Sequence, residues 1–369
     1  MRRFHLFLFC IFLYLSWRFA EGFGPMAFPF MGLLVLGLMT YPSEWLRKSR
    51  MPCWENLIRW FVYLDIGFLC FLTCLTIARD FISVPLSFWS PTVADSMMSA
   101  GGDWALLALS LIGLKLGMWN ALSGPRVKFV QIPILNLPSP LQGYRIAQIS
   151  DLHVGPTIGP RYVKKVVRRT NALKPHLTVL TGDIVDGDVD HHLEAAQGLR
   201  DLQPKGQTVF VMGNHEYYWD GPRWIQEFQE MGLQVLLNSN MTIHHDNHQI
   251  AVAGILDPAS SLAHPDHQPD LARAAENIHS ADVKILLSHQ PDIAHEASKL
   301  GFDLLLSGHT HAGQFFPFTW LIFSVQKFVK GLKACGPMWV YVNQGTGYWG
   351  PPIRLGTVTE ITLLELIKS

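Results

Sequence analysis

An α/β domain preceded by an N-terminal bundle of about four transmembrane helices is the architecture this sequence predicts, on three observations. Four apolar stretches crowd the first 125 residues. From residue 144 onward, short apolar runs alternate with helical patterns. His5 is the only one of the 16 histidines before residue 150, and the others begin at His153, several at the ends of those runs. The chain of 369 residues is 49% hydrophobic and only 16% charged, against roughly 25% charged in an average soluble domain, which excludes disorder. Lys+Arg and Asp+Glu are both 29, so no basic excess is available to hold double-stranded nucleic acid. Of the five cysteines only Cys335 follows residue 80, so no disulfide framework staples the C-terminal part.

The anchor is expected over 1–125, with helices near 4–20, 23–41, 60–78 and 104–122, each close to the ~20 residues that cross a bilayer. The first is short enough to be a secretory signal peptide, although no small-x-small cleavage site follows it. Trp17, Tyr41, Trp60, Trp104 and Trp119 stand at the ends of these stretches, where membrane interfaces favour aromatic rings. Arg2, Arg3, Arg47, Lys48, Arg50, Arg59, Arg126 and Lys128 fall on one side and only Arg18 and Arg79 on the other. That asymmetry predicts an integral, multi-pass protein of the inner (cytoplasmic) membrane with its C-terminal domain in the cytoplasm. Asp65 and Lys115 interrupt the third and fourth helices at matching depths and are expected to pair.

Residues 126–143 read as a linker and 144–369 as one α/β domain. Strands are expected at 144–149, 177–180, 208–212, 234–237, 250–253, 283–287, 304–306, 339–342 and 357–364. Helices fit 161–173, 191–201, 222–231, 269–279 and 293–300, several opened by Pro and closed near Gly. A turn at Asp246-Asn247 is flanked by His244, His245 and His248, which read as surface residues.

Polar clusters follow the strands: Ser150-Asp151-Leu152-His153, Thr181 to Asp186, Met212 to Glu216, Ser288-His289 and Ser307 to His311. In α/β sheets the carboxyl ends of strands share a crevice, so groups far apart in sequence converge there. Carboxylates, an amide oxygen and imidazoles together suit Mn, Fe or Zn and not Ca, which takes oxygen ligands.

The ordered set Asp151-x-His153, Gly182-Asp183, Gly213-Asn214-His215-Glu216, His289 and Gly308-His309-x-His311 resembles the calcineurin-like metallophosphoesterases. Ser307 to Gln314 and Arg354 to Gly356 resemble the bacterial membrane-associated subgroup in particular. The resemblance implies a four-layer αββα sandwich with two divalent metal ions, Mn first among the candidates. It places Asp151, His153, Asp183 and His311 on one ion and Asp183, Asn214, His289 and His309 on the other, with Asp183 shared. It further implies hydrolysis of a phosphoester or pyrophosphate bond by a metal-bridged hydroxide, with His215 as the catalytic acid and Asp186 orienting the site. Glu216 stands where the family commonly has Asp, and Ala312 replaces a frequent Gly.

Aromatic residues at 315–323 lead into Lys327, Lys330 and Lys333, which at spacing three read as a basic helical face suited either to a membrane interface or to a cap on the sheet. With the anchor, this points to the lipid bilayer as partner and to a phosphorylated lipid, lipid-linked or small-molecule substrate. Pyrophosphatases of UDP-diacylglucosamine, members of the same superfamily, are one such case. A phosphodiesterase acting on soluble nucleotides, and a non-catalytic scaffold or sensor with the same fold, are the alternatives.

Overall fold

A computed structural model describes residues 2–40, 53–204, 206–263, 265 and 267–369. The chain forms two compact units, Met1–Trp119 with Gly350–Leu355, and Asn120–Trp349 with Gly356–Ser369.

The first unit is helical: α1 (Arg2–Phe23), α2 (Ala27–Thr40), α3 (Cys53–Trp89), α4 (Pro91–Met98) and most of α5 (Ala100–Leu122). Among the described residues, two helices are long and apolar enough to cross a membrane, Leu57–Trp89 and Ala100–Leu122. They contain the expected spans at 60–78 and 104–122. The described residues of the expected spans at 4–20 and 23–41 also fold as helices, but their apolar parts, Leu6–Ala20 and Gly24–Val35, are shorter. Tyr41 and the basic residues Arg47, Lys48 and Arg50 lie outside the described residues. Leu8, Leu15, Phe19, Met31, Leu69, Leu72 and Leu106 form the core of this unit.

The expected ion pair between Asp65 and Lys115 does not form. Asp65 turns into the core and both its carboxylate oxygens lack a hydrogen-bond partner, whereas Lys115 points outward on α5. Matching depth along two helices does not fix the angle at which each side chain leaves its axis, and here the two angles differ. Arg18 and Arg79, the two cations assigned to the opposite side, do form ion pairs. Arg79 donates to Asp103 at 2.6 Å with both side chains buried, and Arg18 pairs with Asp80, which also accepts from the Tyr14 hydroxyl at 2.7 Å. Ile353 lies against α3 and α5 where they carry glycine; a Cβ on Gly67 or Gly117 would stand 2.0 or 2.4 Å from it.

The second unit is a four-layer sandwich of two mixed sheets. The first sheet runs β1 (Arg126–Ile134), β12 (Glu360–Lys368), β2 (Arg145–Ile149), β3 (Leu177–Thr181), β4 (Thr208–Val211), β5 (Gln234–Val235), parallel except at β12–β2. The second runs β10 (Gly331–Cys335), β11 (Met338–Val342), β9 (Leu304–Ser307), β8 (Val283–Leu287), β7 (His248–Gly254), β6 (Ser239–His245), antiparallel only at its two outer pairs. Between the sheets, Ile146, Val179, Val209, Val252, Ile285, Leu306 and Leu364 interdigitate. Helices α6 (Pro160–Ala172), α7 (Val189–Ala196) and α9 (Gly221–Glu230) cover the outer face of the first sheet through Val163, Val166, Ala196, Trp224 and Phe228. On the second sheet, α11 (Leu271–Ala274) and α12 (Ala294–Lys299) contribute Ala274, Ala294 and Ala297. The short helices α8 (Asn214–Tyr218) and α10 (Ser260–Ala263) lie in the loops that precede α9 and α11. Strands such as β3 are buried on both faces, which is why they read as unbroken apolar runs.

Several segments differ from the sequence reading, three of them instructively. The expected linker at 126–143 supplies β1, paired in register with β12; β1 lies at the sheet edge, where Pro133 needs no second partner. The expected helix at 269–279 stops at Ala274, before Asn277 takes φ +62°. The basic helical face does not form: the helix here is aromatic, α13 (Phe318–Val325), while Lys327 and Lys330 lie in irregular chain and Lys333 on β10. The turn at Asp246-Asn247 closes the β6–β7 hairpin with both residues at positive φ, +46° and +65°.

Candidate metal centre

Every residue singled out for chemistry stands just past a strand's carboxyl end: Asp151 and His153 after β2, Asp183 and Asp186 after β3, Asn214 and His215 after β4, His289 after β8, His309 and His311 after β9. The loops approach closely because glycines allow it. A Cβ on Gly182, whose φ is +84°, would lie 2.6 Å from His289 and 2.8 Å from the Gly213 backbone, and one on Gly213 would lie 2.2 Å from the Asp183 carboxylate.

Two groups of donors result. In the first, His153 Nε2 and His311 Nε2 face each other at 3.0 Å, and His311 Nε2 lies 3.4 Å from Asp151 Oδ1. In the second, His309 Nδ1 lies 3.2 Å from His289 Nε2 and 3.1 Å from Asn214 Oδ1. Asp183 Oδ2 reaches both, at 3.1 Å from His289 Nε2 and 3.9 Å from His153 Nε2. The seven expected ligands are thus brought together, and Asp151 with His153 and His311, His153 with Asp186 and His215, and Asp183 with His289 and His309 are groups whose donor atoms lie close enough to hold a metal.

The donor chemistry fits divalent ions. Bonds of about 2.1 Å give ligand-to-ligand edges of about 3.0 Å in an octahedron and about 3.4 Å in a tetrahedron, the range of most of these separations. Facing imidazole nitrogens at 3.0 Å without a cation compete for one hydrogen bond, and the buried Nδ1 of His153 has no partner. Four imidazoles, two carboxylates and an amide oxygen make a donor set of the kind that holds divalent ions.

The surrounding groups orient the donors. Ser150 Oγ donates to Asp151 Oδ2 at 2.6 Å, the His309 N–H donates to both Asp151 oxygens, and His289 Nδ1 lies 2.8 Å from the Thr181 carbonyl. Glu216 is fully buried and accepts four backbone N–H groups, those of Gly213 (2.7 Å), Asp183 (3.0 Å), Ile184 (2.6 Å) and Val185 (3.0 Å). It ties the loops after β3 and β4 to one carboxylate.

Charge follows this geometry in the metal-free chain. Burial raises Asp151 to about 6 and Glu216 to about 7, and it lowers His153 to about 3 and His309 to about 4, helped by His215 and His289 respectively. Burial opposes charge on both His289 and Asp183, yet Asp183 raises the imidazole well above its ordinary range, while His289 and His215 hold Asp183 well below the carboxylate range.

His215 belongs to neither set. Its backbone N–H donates to Asp183 Oδ1 at 2.9 Å, and its Nδ1 meets Asp186 Oδ1 at 2.9 Å, an oxygen that also accepts from Trp219 Nε1 at 3.0 Å. Burial works against an imidazolium here, but Asp183 and Asp186 outweigh it and hold His215 up to about 9. Burial is likewise outweighed at Asp186, which His215 keeps down at about 2. Sequence reasoning missed the rings around His215: Tyr218 at 5.4 Å and Trp349 at 5.8 Å between centroids, both exposed. It also left Glu216 without a role, although a Glu at the third helical position can reach back to the N-cap N–H, here that of Gly213, which is the half of a capping box that needs no N-cap side chain. For Trp349 the sequence carries no signal.

A family model described as calcineurin-like phosphoesterase matches residues 144–313. A transmembrane protein with metallophosphoesterase domain from Danio rerio is 38% identical over 261 residues, 69% of this chain and 60% of that protein. Its counterpart in Bos taurus is 37% identical over 261 residues, 68% of this chain and 59% of that one. An uncharacterized metallophosphoesterase of Campylobacter jejuni is 32% identical over 300 residues, 79% of this chain and 77% of that protein. The chain therefore belongs to the calcineurin-like metallophosphoesterase family. It spans about 60% of the length of the two vertebrate relatives.

Proposed function

We propose that the chain is a membrane-anchored, metal-dependent phosphoesterase that hydrolyses a phosphoester or pyrophosphate bond of a lipid or lipid-linked substrate. The observation that carries the reading is the convergence of seven donors from five loops into two sets joined by Asp183, with most separations at the edge lengths of a coordination shell. In this reading Asp151, His153, Asp183 and His311 hold one divalent ion and Asp183, Asn214, His289 and His309 the other, with Mn first among the candidates. Such a pair, when bound, activates water near neutral pH and neutralises phosphate oxygens.

The chain's own groups do the rest. His215, beside both sets but in neither, carries a proton that it can give to the departing oxygen, and Asp186 and Trp219 fix the ring that delivers it. Two membrane-length helices keep the chain at a bilayer, where phosphorylated lipids are abundant. The remaining apolar helices complete a multi-pass anchor in the inner membrane, and the Lys/Arg asymmetry supports a cytoplasmic site.

The test uses detergent-purified protein with added Mn²⁺ on p-nitrophenyl phosphate, bis-p-nitrophenyl phosphate and a lipid pyrophosphate, beside Asp183→Ala. Metal-dependent turnover that the variant lacks is the expected result, with the lipid substrate fastest. Absence of turnover on all three with both ions bound overturns the reading in favour of a non-catalytic scaffold.

A further inference from the structure

Helix α13 carries six apolar residues and no charge among its eight, and none of the eight is buried. Phe318, Trp320, Leu321, Phe323 and Val325 are exposed, Trp320 by 73% and Val325 by 75%. A helix with no polar face belongs in a protein core or in lipid, and here it lies at the surface of its unit. Its placement is firm. Phe316 packs edge-on against Trp320 at 5.1 Å, and the Phe318 carbonyl lies so near Gly313 that a Cβ there would stand 2.2 Å from it. The helix is therefore fixed to the turn that carries His311.

The charge around it indicates the partner. From Leu304 to Thr359 the sequence holds no Asp or Glu, while Lys327, Lys330 and Lys333 follow the helix and all three are exposed. Lys327 lies over the Phe328 ring and 2.7 Å from His295 Nε2, another neighbour without negative charge. Exposed aromatics next to lysines, in a stretch of sequence without carboxylates, complement an anionic lipid surface: rings at the level of the headgroups, ammonium groups on the phosphates.

A second link runs from the helix to the site. Gln314, between His311 and α13, exchanges two hydrogen bonds with the Trp349 backbone, Nε2 to the carbonyl at 2.8 Å and the N–H to Oε1 at 2.9 Å. Trp349 in turn sets its ring beside His215. A surface that docks through α13 thus meets the rim of the metal centre.

We infer that α13 with Lys327, Lys330 and Lys333 is an interfacial docking element through which the metal-binding unit lies on an anionic bilayer. Its readout is depth in the membrane, so it stands or falls apart from turnover. The full chain, with its native cysteines replaced by serine, carries a nitroxide at Leu321→Cys or Val325→Cys and is placed in nanodiscs of phosphatidylcholine with or without phosphatidylglycerol. A label at Glu227→Cys on α9 serves as the solvent reference.

In anionic discs both α13 labels are expected to collide more with dissolved oxygen than with a water-soluble nickel chelate, and the α9 label the reverse. Changing the three lysines to glutamine is expected to reduce the docked fraction's equilibrium constant roughly a hundred-fold, from about 1 kcal/mol per basic residue at an anionic surface. Nickel access at α13 equal to that at α9 overturns the inference. Shielding from both reagents also overturns it, and assigns the helix to a second copy or a protein partner.

Discussion

Replacing Glu216 by Asp keeps a buried carboxyl group and alters only its reach, so it isolates what the four N–H bonds do. Removing one methylene withdraws the carboxylate by about 1.5 Å. Contacts of 2.6 to 3.0 Å then lengthen beyond hydrogen-bonding distance unless the loops follow. The loops after β3 and β4 hold Asp183 and Asn214, so both cannot move toward the shortened side chain and still present their donors. If two of the four donors are stranded, the cost is about 2–6 kcal/mol at about 1–3 kcal/mol for each buried unpaired donor.

That cost is local, and it has a local readout. In full-length protein in detergent, amide hydrogen exchange at Asp183, Ile184 and Val185 is expected to accelerate by about ten-fold or more in Glu216→Asp. Metal content after dialysis against a weak chelator should fall in parallel, because the shared ligand rides on this loop. Unchanged protection of these three amides together with full metal content would refute the assignment of Glu216 as the clamp between the two loops.

Asp183→Asn is expected to abolish binding at both sites, since Asp183 Oδ2 reaches His289 and His153, whereas His311→Ala should leave one ion bound; metal analysis of the purified variants distinguishes them. Asp186→Asn should lower kcat by about 10²–10⁴ with little change in KM or metal content, through loss of the charge that orients His215, as steady-state kinetics would register. Gly182→Ala should reduce metal occupancy, because its Cβ would meet His289 and the Gly213 backbone at a φ of +84°; calorimetric titration with Mn²⁺ measures this. In the helical unit, Asp65→Leu should raise the thermal midpoint in detergent by removing a buried carboxylate without a hydrogen-bond partner, while Arg79→Leu should cost about 3–5 kcal/mol, recovered when Asp103 is also made Leu.

The parts of this protein legible in its sequence are those governed by patterns of short range. Strands such as 283–287 appear where they were expected because a strand buried on both faces has to be an unbroken apolar run. The donor residues were legible because each stands directly after such a run, and topology alone then brings them together. Edge elements were less so: β1 carries Pro133 and charged residues, and its partner β12 lies more than two hundred positions away, a pairing no local signal contains. The supposed Asp65–Lys115 pair failed for a related reason, since depth is readable along a helix but azimuth depends on the packing of the whole unit. Trp349 and Tyr218 belong with these, as their place beside His215 comes from the folded loops.

Backbone conformation explains why the donors lie in loops and why those loops need a clamp. Asp151, His153, Asp183, His309 and His311 all take positive φ, between +49° and +69°, which costs a residue with a side chain about 1–2 kcal/mol. Five such residues would relax if the loops were free, because no regular strand or helix holds them. What opposes relaxation is visible in the hydrogen bonds: Glu216 fixes Asp183 through three consecutive N–H groups, and the Asp151 carboxylate accepts the N–H of His309. The left-handed turns aim side chains from neighbouring residues, such as Asp151 and His153, into one crevice, which an extended strand would send along its pleat instead. The strain is thus tied to convergence itself, and the buried carboxylates that anchor it are as much a part of the metal centre as the imidazoles that face the ions.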